Sequence, residues 1–121
     1  MTGFRQGDAM RIETEEPAPG ITRAKLIGRL DVAGALAADL PFNALVGSKR
    51  ALIVDLSELD FLASMGLRTL IMGARTVAAR HGRMVFLNPG SDVEKVLLAS
   101  GANQLAPIFH ALDDAIRAAA G

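Results

Sequence analysis

The chain has 121 residues, 50% of them hydrophobic and 21% charged, with 13 basic side chains against 13 acidic ones and no net charge; this describes one globular domain with a packed core, not a disordered chain. Charge balance, together with no Trp, no Tyr and only five Phe, leaves neither an electrostatic footprint for a phosphate backbone nor platforms for stacking bases, which argues against a nucleic-acid partner. The absence of cysteine excludes disulfides, thiol catalysis and thiolate metal sites, and His81 and His110 are too far apart in sequence to suggest a metal centre.

Met10 to Thr14 alternates apolar and polar, the period of a half-buried strand. Glu16-Pro17-Ala18-Pro19-Gly20 predicts a turn, and alternation resumes from Ile21 to Ile27, so the two segments read as a hairpin. After Gly28-Arg29-Leu30-Asp31 an alanine- and leucine-rich stretch reaches Val46, with Asp31 placed to cap a helix and Gly47 placed to end it. Pro41 allows two versions of this helix, one kinked there and one starting late with Pro41 in its first turn.

Arg50 to Asp55 is a short apolar run ending in an acid and predicts a buried central strand. Leu56 to Ala63 reads as a loop leading into a helix over about Ser64 to His81, terminated by Gly82, with Leu67, Leu70, Ile71, Ala74, Val77 and Ala78 on one face. Met84 to Leu87 predicts a second buried strand and Asn88-Pro89-Gly90 a turn. Ser91-Asp92-Val93-Glu94 has the spacing of a capping box, opening a helix that Gly101 closes. A short strand around Ala106 to Phe109 and a helix over Leu112 to Ala120 complete the chain.

The expected fold class is therefore α/β: a single domain over residues 1–121 with its core at about 10–120. Its sheet is mixed and mostly parallel after an N-terminal hairpin, with about four helices packed on it through right-handed crossovers. Met1 to Asp8 lacks the apolar core of a secretory signal, and no apolar stretch approaches the roughly 20 residues of a membrane helix, so the expected location is cytoplasmic without membrane insertion.

No nucleophile elbow, phosphate loop, dinucleotide fingerprint or histidine beside a nucleophile is found. Asp55 and Asp60 are read as acids that hold turns and solvent, not as a catalytic pair. The informative stretch is Asp55-Leu56-Ser57-Glu58-Leu59-Asp60-Phe61-Leu62-Ala63-Ser64-Met65-Gly66-Leu67. It resembles the signature of the STAS domain, the module of bacterial anti-sigma factor antagonists: Asp-x-Ser, a spacer, then Asp-Ser-Ser/Thr-Gly-Leu. Gly28-Arg29-Leu30-Asp31 is similar to the family's Gly-Glu-Leu/Ile-Asp element, and Ala99-Ser100-Gly101 to its late Ser/Thr-Gly.

The resemblance implies a non-enzymatic protein without cofactor or metal. Such a protein binds an anti-sigma factor that is also a serine kinase, and a phosphatase resets it. The phosphorylatable serine falls on Ser64, while the preceding Asp is Ala63 here and the following Ser/Thr is Met65. A partner-binding surface is then expected at Asp31, Met65, Gly66, Arg68, Thr69 and Met72. On the residues alone, Ser64 is a helix N-cap; Gly66 permits either the close approach of another backbone or an ATP phosphate at the first helical turn or tight packing on the sheet. Met65, Arg68, Thr69, Met72 and Arg75 form either an adaptable contact surface or a solvated helix face. A constitutive accessory subunit, like the small STAS proteins on a lipid transporter's ATPase, is the alternative, and a nucleotide or small-ligand sensor has no residue set to support it. A monomer or weak dimer is expected.

Overall fold

The computed structural model describes residues 10–121; the Met1 to Asp8 segment read for a signal lies outside them. The elements are β1 (Met10–Ala18), β2 (Ile21–Leu30), α1 (Val32–Ser48), β3 (Ala51–Asp55), β4 (Leu59–Leu62), α2 (Ser64–Ala79), β5 (Arg83–Leu87), α3 (Ser91–Ser100), α4 (Ala102–Leu105), β6 (Ile108–Phe109) and α5 (Leu112–Ala120). The predicted hairpin, the mostly parallel sheet and the alternation with helices are all present. The main strand order is β1-β2-β3-β5-β6, with β1 antiparallel to β2 and the other pairings parallel.

Two elements depart from the predicted order. The stretch read as a loop contains β4, which pairs with the end of β2. Four residues of which only Leu59 and Leu62 are buried are too short to show a period. α4 is a single turn that the helix-closing Gly101 had concealed.

Boundaries differ for local reasons. β1 runs on through Pro17 to Ala18, which an edge strand tolerates because Pro17 needs no ladder donor there, and a register irregularity lies between Glu15 and Ala18. α1 starts at Val32, not late, because the Asp31 carboxylate accepts the Gly34 amide at 2.9 Å. It passes Pro41 and Gly47 and ends at Lys49, whose N–H donates to the Leu45 carbonyl. α2 ends at Arg80 with His81 left-handed, so Gly82 is not its terminator; a Cβ on Gly82 would stand 2.6 Å from the Arg50 carbonyl oxygen, at the close approach to the start of β3. The capping box is not formed: Gly90 is the N-cap of α3, Ser91 is already helical, and the Glu94 side chain turns to His110 at 2.9 Å. Gly101 does close α3, at φ 79°. The last strand is confined to Ile108 and Phe109.

The sheet is covered unequally. α1 to α4 pack on one face, where Phe42, Val46, Leu70, Val77 and Leu97 meet Leu26, Leu52, Val54 and Phe86; each fully buried side chain of this size contributes roughly 1.5 to 3 kcal/mol. The other face carries α5 alone, with Ala115 and Ala119 on Ile21, Ile53, Val85 and Leu87. Beyond α5 that face holds an ion ladder running from β1 across β2 to the end of β3 and the turn after it: Arg23 joins Glu15 and Asp55, both at 2.7 Å, and Lys25 joins Glu58 at 2.9 Å.

Candidate functional site

β2 forks. Its first half pairs with β3 from Thr22 to Lys25, and its end pairs with β4, Arg29 opposite Phe61 and Leu30 opposite Leu62. The switch occurs at Gly28, whose φ of 113° is open only to a residue without a Cβ and where the β2–β4 register shifts. Because β2 and β4 run side by side, the helices that follow them start side by side. The Ala63 N–H donates to the Leu30 carbonyl at 3.1 Å, which ties the start of α2 to the end of β2.

This junction brings Asp31, Ser64, Met65 and Gly66 together. Ser64 is exposed and is the first helical residue, not the N-cap; that position belongs to Ala63, which offers no side-chain acceptor. The cap expected of Ser64 is absent because Ala63, extended and tied through its N–H to the Leu30 carbonyl, occupies that position. The amides of the first α2 turn are left without intrahelical acceptors, up to Leu67, whose N–H reaches the Ala63 carbonyl at 2.9 Å. Gly66 is buried, and a Cβ there would overlap the carbonyl oxygen and side chain of Leu30. Of the two expectations for Gly66, tight packing on the sheet is the one realised, because the atoms it meets belong to Leu30 at the end of β2.

Asp31 has two roles at this lip. One carboxylate oxygen caps α1 through Gly34, and the other lies 3.4 Å from the Arg29 Nε. The Gly34 amide, with Arg29 assisting, holds the Asp31 carboxyl below its ordinary pKa. The Arg29 guanidinium also lies 4.3 Å over the Phe61 ring. Sequence reading missed the meeting of Arg29 and Phe61 because it depends on β4; the one available signal was an aromatic three residues before the helix.

Arg68, Thr69 and Met72 continue from the junction along α2. Arg68 and Met72 are exposed, whereas Thr69 is half-buried and donates its hydroxyl to the Met65 carbonyl at 3.1 Å. Asp55 lies apart from this surface, at the end of β3. Burial alone would raise its pKa, but hydrogen bonds from Ser57 and the Arg23 guanidinium outweigh that and hold it below the ordinary carboxylate value. It holds a turn, as expected, and also an ion pair that the sequence did not announce. Among the described residues no cluster of three or more His, Asp or Glu could hold a metal ion, and no helix is long and apolar enough to cross a membrane.

The family model described as the STAS domain matches residues 12–115. The chain belongs to the STAS family. Among solved structures, this STAS domain is similar to an anti-sigma factor antagonist from Mycobacterium paratuberculosis, with 26% identity, TM-score 0.83 and coverage of 94% of this chain and 97% of that one. It shares its fold with the anti-sigma factor antagonist SpoIIAA in its unphosphorylated form, at 24% identity, TM-score 0.72 and coverage of 88% and 93%. The murine anion transporter Slc26a9 contains the same fold, at 19% identity and TM-score 0.73, over 87% of this chain and 18% of the transporter. No curated protein matches the sequence.

Proposed function

We propose that this STAS domain is a non-enzymatic, cytoplasmic anti-sigma factor antagonist that works by partner switching. With Ser64 unmodified it binds an anti-sigma factor that is also a serine kinase, using Asp31, Met65, Arg68, Thr69 and Met72, while Gly66, expected among them, is buried against Leu30 and positions the first turn of α2. The kinase transfers the γ-phosphoryl group of ATP to the Ser64 hydroxyl and releases the product, and a metal-dependent phosphatase restores the serine. The domain supplies an acceptor and a docking face; the ATP chemistry belongs to the partner.

The observation that carries the reading is the position of Ser64, exposed at the first turn of α2 beside Asp31. A phosphate there adds about 1.5 to 2 negative charges. The unpaired amides of the α2 start and its dipole accommodate them without unfolding the domain. A partner seated on the same spot, however, meets a new charge. The same fold occurs in the phosphorylated form of the Bacillus protein SpoIIAA, at 23% identity and TM-score 0.69. The test is intact-mass analysis after incubation with the cognate kinase and ATP. One added phosphate that is absent from Ser64→Ala supports the switch; no modification, or one that persists in Ser64→Ala, refutes it.

Ala63 and Met65, which stand where the family pattern has Asp and Ser/Thr, favour a second reading as a constitutive, unphosphorylated subunit of a transporter ATPase or another regulatory complex. Under that reading Ser64→Ala and Ser64→Asp both assemble with the partner.

A further inference from the structure

α1 carries almost no charge. Its 17 residues include one charged side chain, Asp39, which accepts a hydrogen bond from Asn43 at 3.1 Å. Ala35, Ala38, Phe42 and Val46 are buried on its inner side. Beside the exposed Asp39 and Asn43, its outer side carries an apolar stripe: Val32, Leu36 and Leu40 are 56%, 69% and 81% exposed, and their four-residue spacing aligns them. A surface helix ordinarily presents charge there, whereas a helix apolar all round is covered on all sides.

α2 adds to the same layer. It packs beside α1, with Gly73 seated against the Phe42 ring, and it exposes Met65 and Met72. Of the eight large apolar side chains exposed among the described residues, five lie on these two helices, so the exposure is a patch and not a scatter. α2 also contains two arginines and no acid. Arg68 and Arg75 are exposed two helical turns apart and, like Lys49, Arg50, Arg80, Arg83 and Lys95, have no ion-pair partner among the described residues.

We propose that the outer stripe of α1 and the outer line of α2 form one docking surface for an acidic amphipathic helix of a partner protein. Its apolar stripe lies over Val32, Leu36 and Leu40, and its flanking carboxylates meet Arg68 and Arg75. The proposal rests on α2 being part of the docking face, and it extends that face to a helix that no motif marks. A second copy of this chain suits the apolar stripe but not the charge: it brings its own two arginines and, on these helices, the single carboxylate of Asp39.

The probes are two synthetic helical peptides of about 18 residues with the same leucine stripe, one flanked by Glu and one by Lys, titrated into the isotopically labelled full chain by NMR. The Glu peptide is expected to shift amides of both α1 and α2. The Lys peptide, and the Glu peptide on Arg68→Gln/Arg75→Gln, are expected to bind roughly tenfold more weakly or worse. Leu36→Gln/Leu40→Gln, which alters only exposed positions, is expected to abolish the α1 shifts while thermal unfolding stays unchanged. Equal binding of the two peptides overturns the proposal. So does sedimentation showing that the parent chain self-associates and that Leu36→Gln/Leu40→Gln dissociates it, which would make a second copy the occupant. Shifts confined to α2 refute the α1 extension and leave the α2 docking face standing. No shift on either helix refutes the proposal, and the phosphorylation of Ser64 is still decided separately by the mass measurement.

Discussion

Gly66 lies flush against the Leu30 backbone carbonyl, so the first turn of α2 rests directly on the end of β2. The contact sets where Ser64 stands relative to Asp31. Adding a methyl group there meets backbone, which cannot rotate away. Gly66→Ala is expected to cost about 2 kcal/mol net despite its better helix propensity. At Gly73 the obstacles are side chains, the buried Phe42 ring and Val46, which can repack at some cost where a backbone carbonyl cannot, so Gly73→Ala should cost less. Denaturant unfolding of the two variants checks the order, and an equal or reversed order contradicts it.

Ala63 is the N-cap of α2 and makes no side-chain cap hydrogen bond. Ala63→Asp, which restores the family residue, is therefore expected to stabilise the domain by about 1 kcal/mol. Ser64→Ala, inside the first turn, should change stability by less than about 0.5 kcal/mol. A large loss in Ser64→Ala would mean that its hydroxyl caps the helix after all. Thermal unfolding of both variants decides.

Asp31 combines a cap with a charge, and two substitutions separate them. Asp31→Asn keeps an oxygen for the Gly34 amide and loses the charge facing Arg29; Asp31→Ala loses both. Asp31→Ala is expected to lose about 1 kcal/mol of stability, and Asp31→Asn only a few tenths. If the carboxylate is read by the partner, both bind it more weakly. If only Asp31→Ala does, the cap alone matters.

Asp55 gives the domain an acid-sensitive anchor. Its folded pKa lies below the unfolded value of about 3.9, so its stabilisation is complete above that value and is lost as pH falls through the depressed folded one. Asp55→Asn should cost about 2 kcal/mol near neutrality, mainly through the charged hydrogen bonds with Arg23. The gap between the parent and Asp55→Asn is expected to narrow below about pH 4; a gap constant with pH would contradict the assignment.

Elements with a clear period or a strong stop were legible in the chain: the β1–β2 hairpin, the apolar runs of β3 and β5, the α2 stripe, and Gly101 ending α3. Asp31 as a cap was legible as well, because its acceptor acts on an amide three residues away. The false caps at Ser64 and Ser91 share one cause. In each case the preceding residue, Ala63 or Gly90, takes the cap position without a suitable side chain. β4, Arg29 over Phe61 and Arg23 beside Asp55 depend on pairing across more than 30 residues, which no local pattern records.

The central claim is that charge at Ser64 governs partner occupancy without disturbing the fold. Its most direct test is a titration of the cognate anti-sigma kinase with the domain in unmodified and Ser64-phosphorylated forms, with thermal unfolding of both. The account predicts comparable unfolding and at least roughly tenfold weaker binding of the phosphorylated form, with Ser64→Asp weakened in the same direction. Equal affinities for the two forms, or a phosphorylated domain that unfolds, would contradict it.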